Sequence, residues 1–400
     1  MSAWRSAVVI VGLVAIAGCR ERLTTAGCST LCPPSQVQLV DTVLATSDVS
    51  DTSVRGYVLV REASYLLASS LDSLKSVILI RFSKRDSVWY PDTQDTAYVG
   101  TQDSVVLSMQ ILQRDTSVKQ LRLLVYRLPA RFDTAATYAA IQSYFVAANL
   151  VDTVAISDDS GAGTYQLMRI AHSLAIPAAD SGVVSLGIAM VATGKTAVTF
   201  ASGNLGTSTP VLSYYAHARA PLDTLSHVFS VDQFLSLFVM SPPPGQPPAG
   251  VLSVGGIPTA RATLHLSLPK VVVDSTAVVR ATLLLNSTAA AGGFAHDTFT
   301  VIAQPVVRDF GVKSVLWPDS AISGSVRIAQ GQNGPVELDI APILRFWGTT
   351  VGDSTPRLVV LRVYPEGSIL GAVEFAGRGA GPTGPQLRVT YVKPYRFGLP

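Results

Sequence analysis

The chain has 400 residues and a net charge of +3, with its 30 Lys and Arg scattered, which excludes the basic block that nucleic-acid binding requires. Of its 27 acidic residues 22 are Asp and 5 are Glu, and 17 of the Asp precede Ser or Thr. Glu favours helix interiors whereas Asp and Ser hydrogen-bond locally in turns and caps, so helix is excluded as the main theme.

The chain opens with Arg5 and an unbroken apolar run from Ala7 to Gly18. Twelve helical residues reach about 18 Å, too short for a hydrocarbon core of about 30 Å, so the run reads as a cleaved signal peptide over residues 1–18. Ile16-Ala17-Gly18-Cys19 resembles the lipobox of bacterial lipoproteins. That resemblance implies lipid on the Cys19 thiol, a membrane as partner, and an address in the bacterial cell envelope, at the outer membrane. Residues 19–36 then read as a lipidated tether with Pro33-Pro34. Within it Cys28 and Cys32 are candidates for a disulfide in an oxidising compartment.

Beyond the tether, apolar alternation recurs. Val77–Phe82 is an apolar run suited to a strand covered on both faces, and Val105–Leu112 and Leu121–Leu128 are similar. Ala262, Leu264, Leu266 and Leu268 alternate with Thr263, His265 and Ser267, which puts four apolar groups on one face of a strand. Leu387, Val389 and Tyr391 alternate in the same way with Arg388 and Thr390. Two stretches read as helices: Thr134–Phe145 after a capping Asp133, and Ser230–Met240 with Phe234, Leu237 and Phe238 on one face. Asp-Ser and Asp-Thr pairs, often about ten to fifteen residues apart, supply the turn rhythm of short strands.

The chain also repeats itself. Ala197-Val198-Thr199-Phe200-Ala201 leads to Pro210-Val211-Leu212, and Ala372-Val373-Glu374-Phe375-Ala376 leads to Pro385-Gln386-Leu387, both at an offset of 175. Ser76–Phe82 corresponds to Ala260–Leu266 at an offset of 184. Two matches in the same order argue for tandem copies, over residues 37–219 and 220–397. The expected fold is all-β: two tandem antiparallel jelly-roll-like β-sandwiches with a few short helices.

From Val251 to Tyr391 the second copy resembles the DNRLRE-type domains, β-sandwich modules of exported bacterial proteins related to certain carbohydrate-binding modules. Leu264–Pro269, Val278–Leu285, Val336–Trp347 and Pro385–Tyr391 carry the likeness. The motif that names that family is absent, and the first copy keeps only the Ile80-Arg81-Phe82 strand. What the resemblance implies is a sandwich fold, a buried Trp347 and a polysaccharide as ligand.

No residue set composes a catalytic site or a metal centre. The five His stand at 172, 217, 227, 265 and 296, no two at ligand spacing, and no Gly-x-Ser-x-Gly turn is present. Asp158-Asp159 makes an acidic turn, but calcium takes six to eight oxygens, so a solvated loop is expected there. The Gly-rich segments at 203–206 and 377–382 join two strands and read as hairpin loops without phosphate-binding geometry. Exposed aromatics would stack on sugar rings, and Trp89, Tyr90 and Trp317, each at or next to a residue before Pro91 or Pro318, are the candidates, placed in loops. The expectation is a non-catalytic binding or adhesion module without cofactor, with docking of other envelope proteins as the alternative and a polysaccharide-active enzyme behind both.

Overall fold

The computed structural model describes residues 39–44, 49–55, 61–72, 74–90, 94–98, 104–171, 182–206, 208–218, 226–241, 247–269, 272, 277–309, 317–349 and 354–392. Cys19, Cys28, Cys32 and the expected signal peptide lie outside the described residues.

Two leading strands come first, β1 (Leu39–Leu44) and β2 (Val49–Arg55). The first copy continues with β3 (Tyr65–Ser70), β4 (Lys75–Ser83), β5 (Ser87–Tyr90), β6 (Asp95–Tyr98) and β7 (Ser104–Arg114). After β8 (Arg122–Arg127) come a one-turn helix, α1 (Tyr138–Ile141), and then β9 (Leu150–Ala155) and β10 (Tyr165–Ala171). β11 (Val183–Val191), β12 (Ala197–Ala201), β13 (Val211–Ala218) and the long β14 (Ser226–Ser241) complete that half. In the second half β15 (Val251–Gly255), β16 (Ala260–Leu266), β17 (Ala277–Asn286), β18 (Gly292–Gly293) and β19 (Thr298–Arg308) precede β20 (Trp317–Pro318) and β21 (Gly324–Ala329). β22 (Pro335–Asp339), α2 (Ala341–Trp347), β23 (Leu358–Tyr364), β24 (Gly371–Ala376) and β25 (Gln386–Val392) follow.

The fold is all-β and antiparallel, with sheets packed face to face and few short helices. Alternation decides which side chains meet. In β7 Val105, Leu107 and Met109 point inward with Met168 and Ile170 of β10 and Leu212 and Tyr214 of β13. They pack on Ile78, Ile80 and Phe82 of β4, Leu186 and Ile188 of β11, and Phe200 of β12. The second core sits between a four-stranded sheet (β1-β25-β17-β22) and a larger one. Its inner residues include Leu283, Leu387, Val389, Leu264 and Phe375, with Trp347 of α2 fully buried among them.

The repeat seen in the sequence is a repeat of topology. β4 lies between β14 and β11 as β16 lies between β2 and β23. β8 and β9 follow β11 outward as β19 and β21 follow β23. β10 and β13 flank β7 as β22 and β25 flank β17. One feature departs from the expected division near residue 219: the leading strands are exchanged. β14, which precedes the second copy, runs along β13 with Val231 opposite Leu212, then along β4 with Gln233 opposite Phe82. β1 and β2, which precede the first copy, take the equivalent places in the second unit. There Leu44 is opposite Leu387 and Val49 opposite Leu266. Each unit therefore completes its sheets with the strand that leads into the other copy.

Three expectations are corrected. Ser230–Met240 is not a helix but the second part of β14. Phe238 and Met240 enter the main core while Leu237 joins Val77 and Leu79 in a smaller cluster on the other side of the sheet. With both faces buried the strand loses its alternation, and a bulge between Gln233 and Leu235 leaves Phe234 exposed, so the apolar spacing imitates a helix. The helix expected over 134–145 shrinks to α1 and a 3₁₀ turn at Gln142–Tyr144. Its cap is Thr137, whose Oγ1 accepts the Ala140 N–H at 3.4 Å, whereas Asp133 accepts the Ala135 N–H in a local turn. The Gly-rich segments are not hairpins either. Gly203–Leu205 and Arg378–Thr383 form 3₁₀ turns, and strands β12/β13 and β24/β25, which they join, do not pair with each other. The first links two strands that both pair with β7, and the second passes from β24 in one sheet to β25 in the other.

The two units touch through Ile257, Phe294 and Leu370, which pack into the first core. Beside them is a cleft of about 250 Å³ where Leu71 and Leu74 face the Arg55–Glu374 ion pair, closed at 2.8 Å.

The exchange yields a direct expectation. Residues 58–245 contain every strand of the first unit and should unfold cooperatively alone in urea. Residues 247–397 lack β1 and β2 and should do so only after a peptide of residues 37–56 is added, as followed by circular dichroism. Phe200 and Phe375 are both fully buried at equivalent places. Phe200→Ala and Phe375→Ala should each cost about 3–5 kcal/mol, a large share of the 5–15 kcal/mol or so that stabilises a domain, and lower the thermal midpoint sharply. Arg388→Ala, which breaks only exposed bonds to Asp41, should lower it far less.

Candidate functional site

A strand that buries one face must present the other, and in the first unit one such face is left open by the described residues. β13 carries β14 along one edge and, along the other, β7 and then β6, with β10 beyond β7 and β5 beyond β6. Met168 and Ile170 of β10 and Leu212 and Tyr214 of β13 are buried, so their alternates point outward. Those alternates are Tyr165, Leu167 and Arg169 on β10, Ser108 and Gln110 on β7, and Ser213 and Tyr215 on β13. The hairpin of β5 and β6 adds Trp89 and Tyr98. Ala97, between Thr96 and Tyr98, is fully buried, which confirms the facing.

Tyr98, Tyr165, Trp89 and Leu167, which share this face, are 43% to 59% exposed. Their arrangement is ordered. His217, two residues beyond Tyr215, is opposite Tyr98, which is opposite Ser87, two residues before Trp89. Tyr215, Tyr98 and Trp89 are thus successive diagonal neighbours on adjacent strands, at about 7–8 Å steps and within aromatic reach of each other. Two strands from β13, level with Ser213, the Arg169 guanidinium lies 5.7 Å from the Tyr215 ring centre. Hydroxyl and amide groups fill the spaces between: the Ser213 and Ser230 hydroxyls share a hydrogen bond at 2.7 Å, and the Gln110 amide donates to the Gly163 carbonyl. Val228 of β14, also exposed, extends the apolar part of this face.

The equivalent face of the second unit has a different chemistry. Arg388 and Thr390 occupy the places of Ser213 and Tyr215, and the surrounding positions are Arg280, Thr282, Glu337 and Asp339, around a shallow cleft of about 270 Å³. Asp41 on β1 takes two charge-assisted bonds from Arg388, the shortest at 2.6 Å, and one from the Thr390 hydroxyl at 3.1 Å. The Arg388 guanidinium beside it holds the Asp41 carboxyl below the usual carboxylate range. This network fastens the exchanged strand β1 to β25. Asp339 is engaged in part in a local turn, accepting the Ala341 N–H at 2.9 Å just before α2.

Of the aromatics singled out from sequence, Trp89 is on the open face, in strand β5 rather than a loop. Tyr90 follows it in the same strand, and Trp317 stands in β20, in the other unit; the side chains of both lie outside the described residues. Trp347, expected inside, is fully buried, and His265 points outward from β16 as its alternation implied. Asp158 of the acidic turn accepts the Gln120 N–H at 3.1 Å. Tyr98, Tyr165 and Tyr215 were not anticipated. The signal was present in Tyr165-x-Leu167-x-Arg169, where large side chains alternate with the equally apolar Met168 and Ile170, so that one apolar set had to remain outside.

No family model and no curated protein matches the chain. Among solved structures it is similar to the N-terminal CBM22-1-CBM22-2 tandem domain of Paenibacillus barcinonensis Xyn10C, over 82% of this chain and 92% of that one, at 10% identity and a TM-score of 0.14. A likeness at that score carries no argument for this chain.

Proposed function

We propose that this chain is a non-catalytic binding protein of the bacterial cell envelope, anchored by lipid on Cys19, whose working surface is the aromatic face of the first unit and whose ligand is a polysaccharide. The observation that carries the reading is the diagonal of Tyr215, Tyr98 and Trp89 on an open sheet. Flat aromatic rings offer apolar area to the C–H faces of sugar rings, while the intervening hydroxyls and amides meet the sugar hydroxyls. An extended polymer suits a long open face better than a closed pocket would. A protein-docking surface would instead favour a broad apolar patch, and here Leu167 and Val228 are interrupted by Ser, Gln and Arg side chains.

The test is affinity electrophoresis of the chain in gels cast with a panel of neutral and acidic polysaccharides. The wild-type chain should be retarded by at least one of them, and Trp89→Ala with Tyr98→Ala should weaken that binding at least tenfold, about 1.4 kcal/mol, without lowering the thermal midpoint. Arg280→Ala on the charged face should leave retardation unchanged. The anchor is tested separately. Metabolic labelling with a clickable fatty acid should mark the wild-type chain and not Cys19→Ser, and equal label on both would remove the lipid from the proposal.

A further inference from the structure

Resting on that reading, we infer that the aromatic face is built for an acidic polysaccharide, with Arg169 as the group that recognises a uronate carboxylate beside the ring held by Tyr215. Arg169 projects from β10 on the open side of the sheet, its neighbours Met168 and Ile170 both buried, so its direction is set by the strand. Its guanidinium lies 5.7 Å from the Tyr215 ring centre. Contact with a ring limits the rotation of a long side chain and leaves the in-plane N–H donors at its rim unused, which is the arrangement that grips a planar carboxylate with two parallel hydrogen bonds.

The charge around it is consistent with that role. Arg55, Arg261, Arg362 and Arg388 are all paired with carboxylates, whereas no carboxylate is paired with Arg169 among the described residues. On the described part of this face the other charged side chain is Asp232, on β14, three strands from β10. A sugar ring seated over Tyr98 and Tyr215 would bring its substituents to the Arg169 end of the diagonal, where a neutral hydroxymethyl group gains one hydrogen bond and a carboxylate gains two charge-assisted ones. Arg169 therefore selects between polymers, while the three aromatics supply the surface common to them.

The experiment uses the full chain in mild detergent, with affinity gels of polygalacturonate, neutral galactan and dextran sulfate. Wild type should bind polygalacturonate at least tenfold more tightly than galactan, and this preference should shrink as salt rises. Arg169→Gln should abolish the preference while keeping the weaker binding to galactan, and Arg169→Lys, which keeps the charge but not the paired donors, should restore only part of it. Equal binding of polygalacturonate and galactan, unchanged in Arg169→Gln, would overturn the inference and leave the polysaccharide reading standing. Tighter binding to dextran sulfate than to polygalacturonate would also overturn it, because unspecific charge attraction would then account for the preference. Failure to bind any polymer would overturn the polysaccharide reading itself, and the inference with it.

Discussion

Two short strands, β1 and β2, which precede the first copy, hold the second sandwich together, and the rest of the architecture depends on that pairing. β1 closes the edge of the four-stranded sheet beside β25, and β2 runs along the whole of β16. Because these strands sit in the second unit, the first unit lacks the strand that would have preceded it, and β14 takes that place. The exchange is reciprocal, and it fixes the first unit at both ends to the second: chain enters through β2 and leaves through β14. Backbone hydrogen bonds at sheet edges are indifferent to which copy supplies them, so long as the apolar set faces inward. Leu44 and Val231 satisfy that condition equally against Leu387 and Leu212.

The closure of the first unit also explains where it can be open. Strands β4, β14, β13, β7, β12 and β3 pair in a ring, each with the next, so the core they enclose has no free edge on that path. One outer side of the ring is covered by the segment around α1, where Phe132 and Ile141 pack on Val77, Leu79 and Leu237. The other outer side, formed by β10, β7 and β13, has no such cover among the described residues and carries the aromatics. A closed scaffold under such a face holds its side chains in place before any ligand arrives, which lowers the ordering cost of binding.

The two copies have kept the frame and changed the surface. Buried rings persist at equivalent points, Phe200 and Phe375, while the outward positions beside them have parted into Ser213 and Tyr215 on one unit and Arg388 and Thr390 on the other. In the second unit these outward groups are engaged in holding β1, through the bonds of Arg388 and Thr390 to Asp41. In the first unit β14 is continuous with β13's sheet over seven residues, and the outward groups are left for other uses.

From the sequence alone the all-β class, the tandem copies and the buried sides of β4, β16 and β25 were legible. The class rests on the excess of Asp over Glu, the copies on matched segments at constant offsets, and the buried sides on the apolar run of β4 and the two-residue alternation of β16 and β25, all read directly along the chain. Trp89 was legible as a candidate for the same kind of reason, as a large aromatic beside Pro91. What only the tertiary structure decided was which segments pair, and so which apolar residues stay outside. Ser230–Met240 is apolar on both sides because it lies between two clusters, and nothing in its own residues separates that from a helix. Tyr165, Tyr98 and Tyr215 come from strands far apart in the chain, and Tyr98 and Tyr215 each have a neighbour, Ala97 and Tyr214, that the core takes instead. Burial is settled by the facing sheet, through contacts between residues a hundred or more positions apart, and a side chain becomes a surface group only when that sheet has taken its neighbour instead.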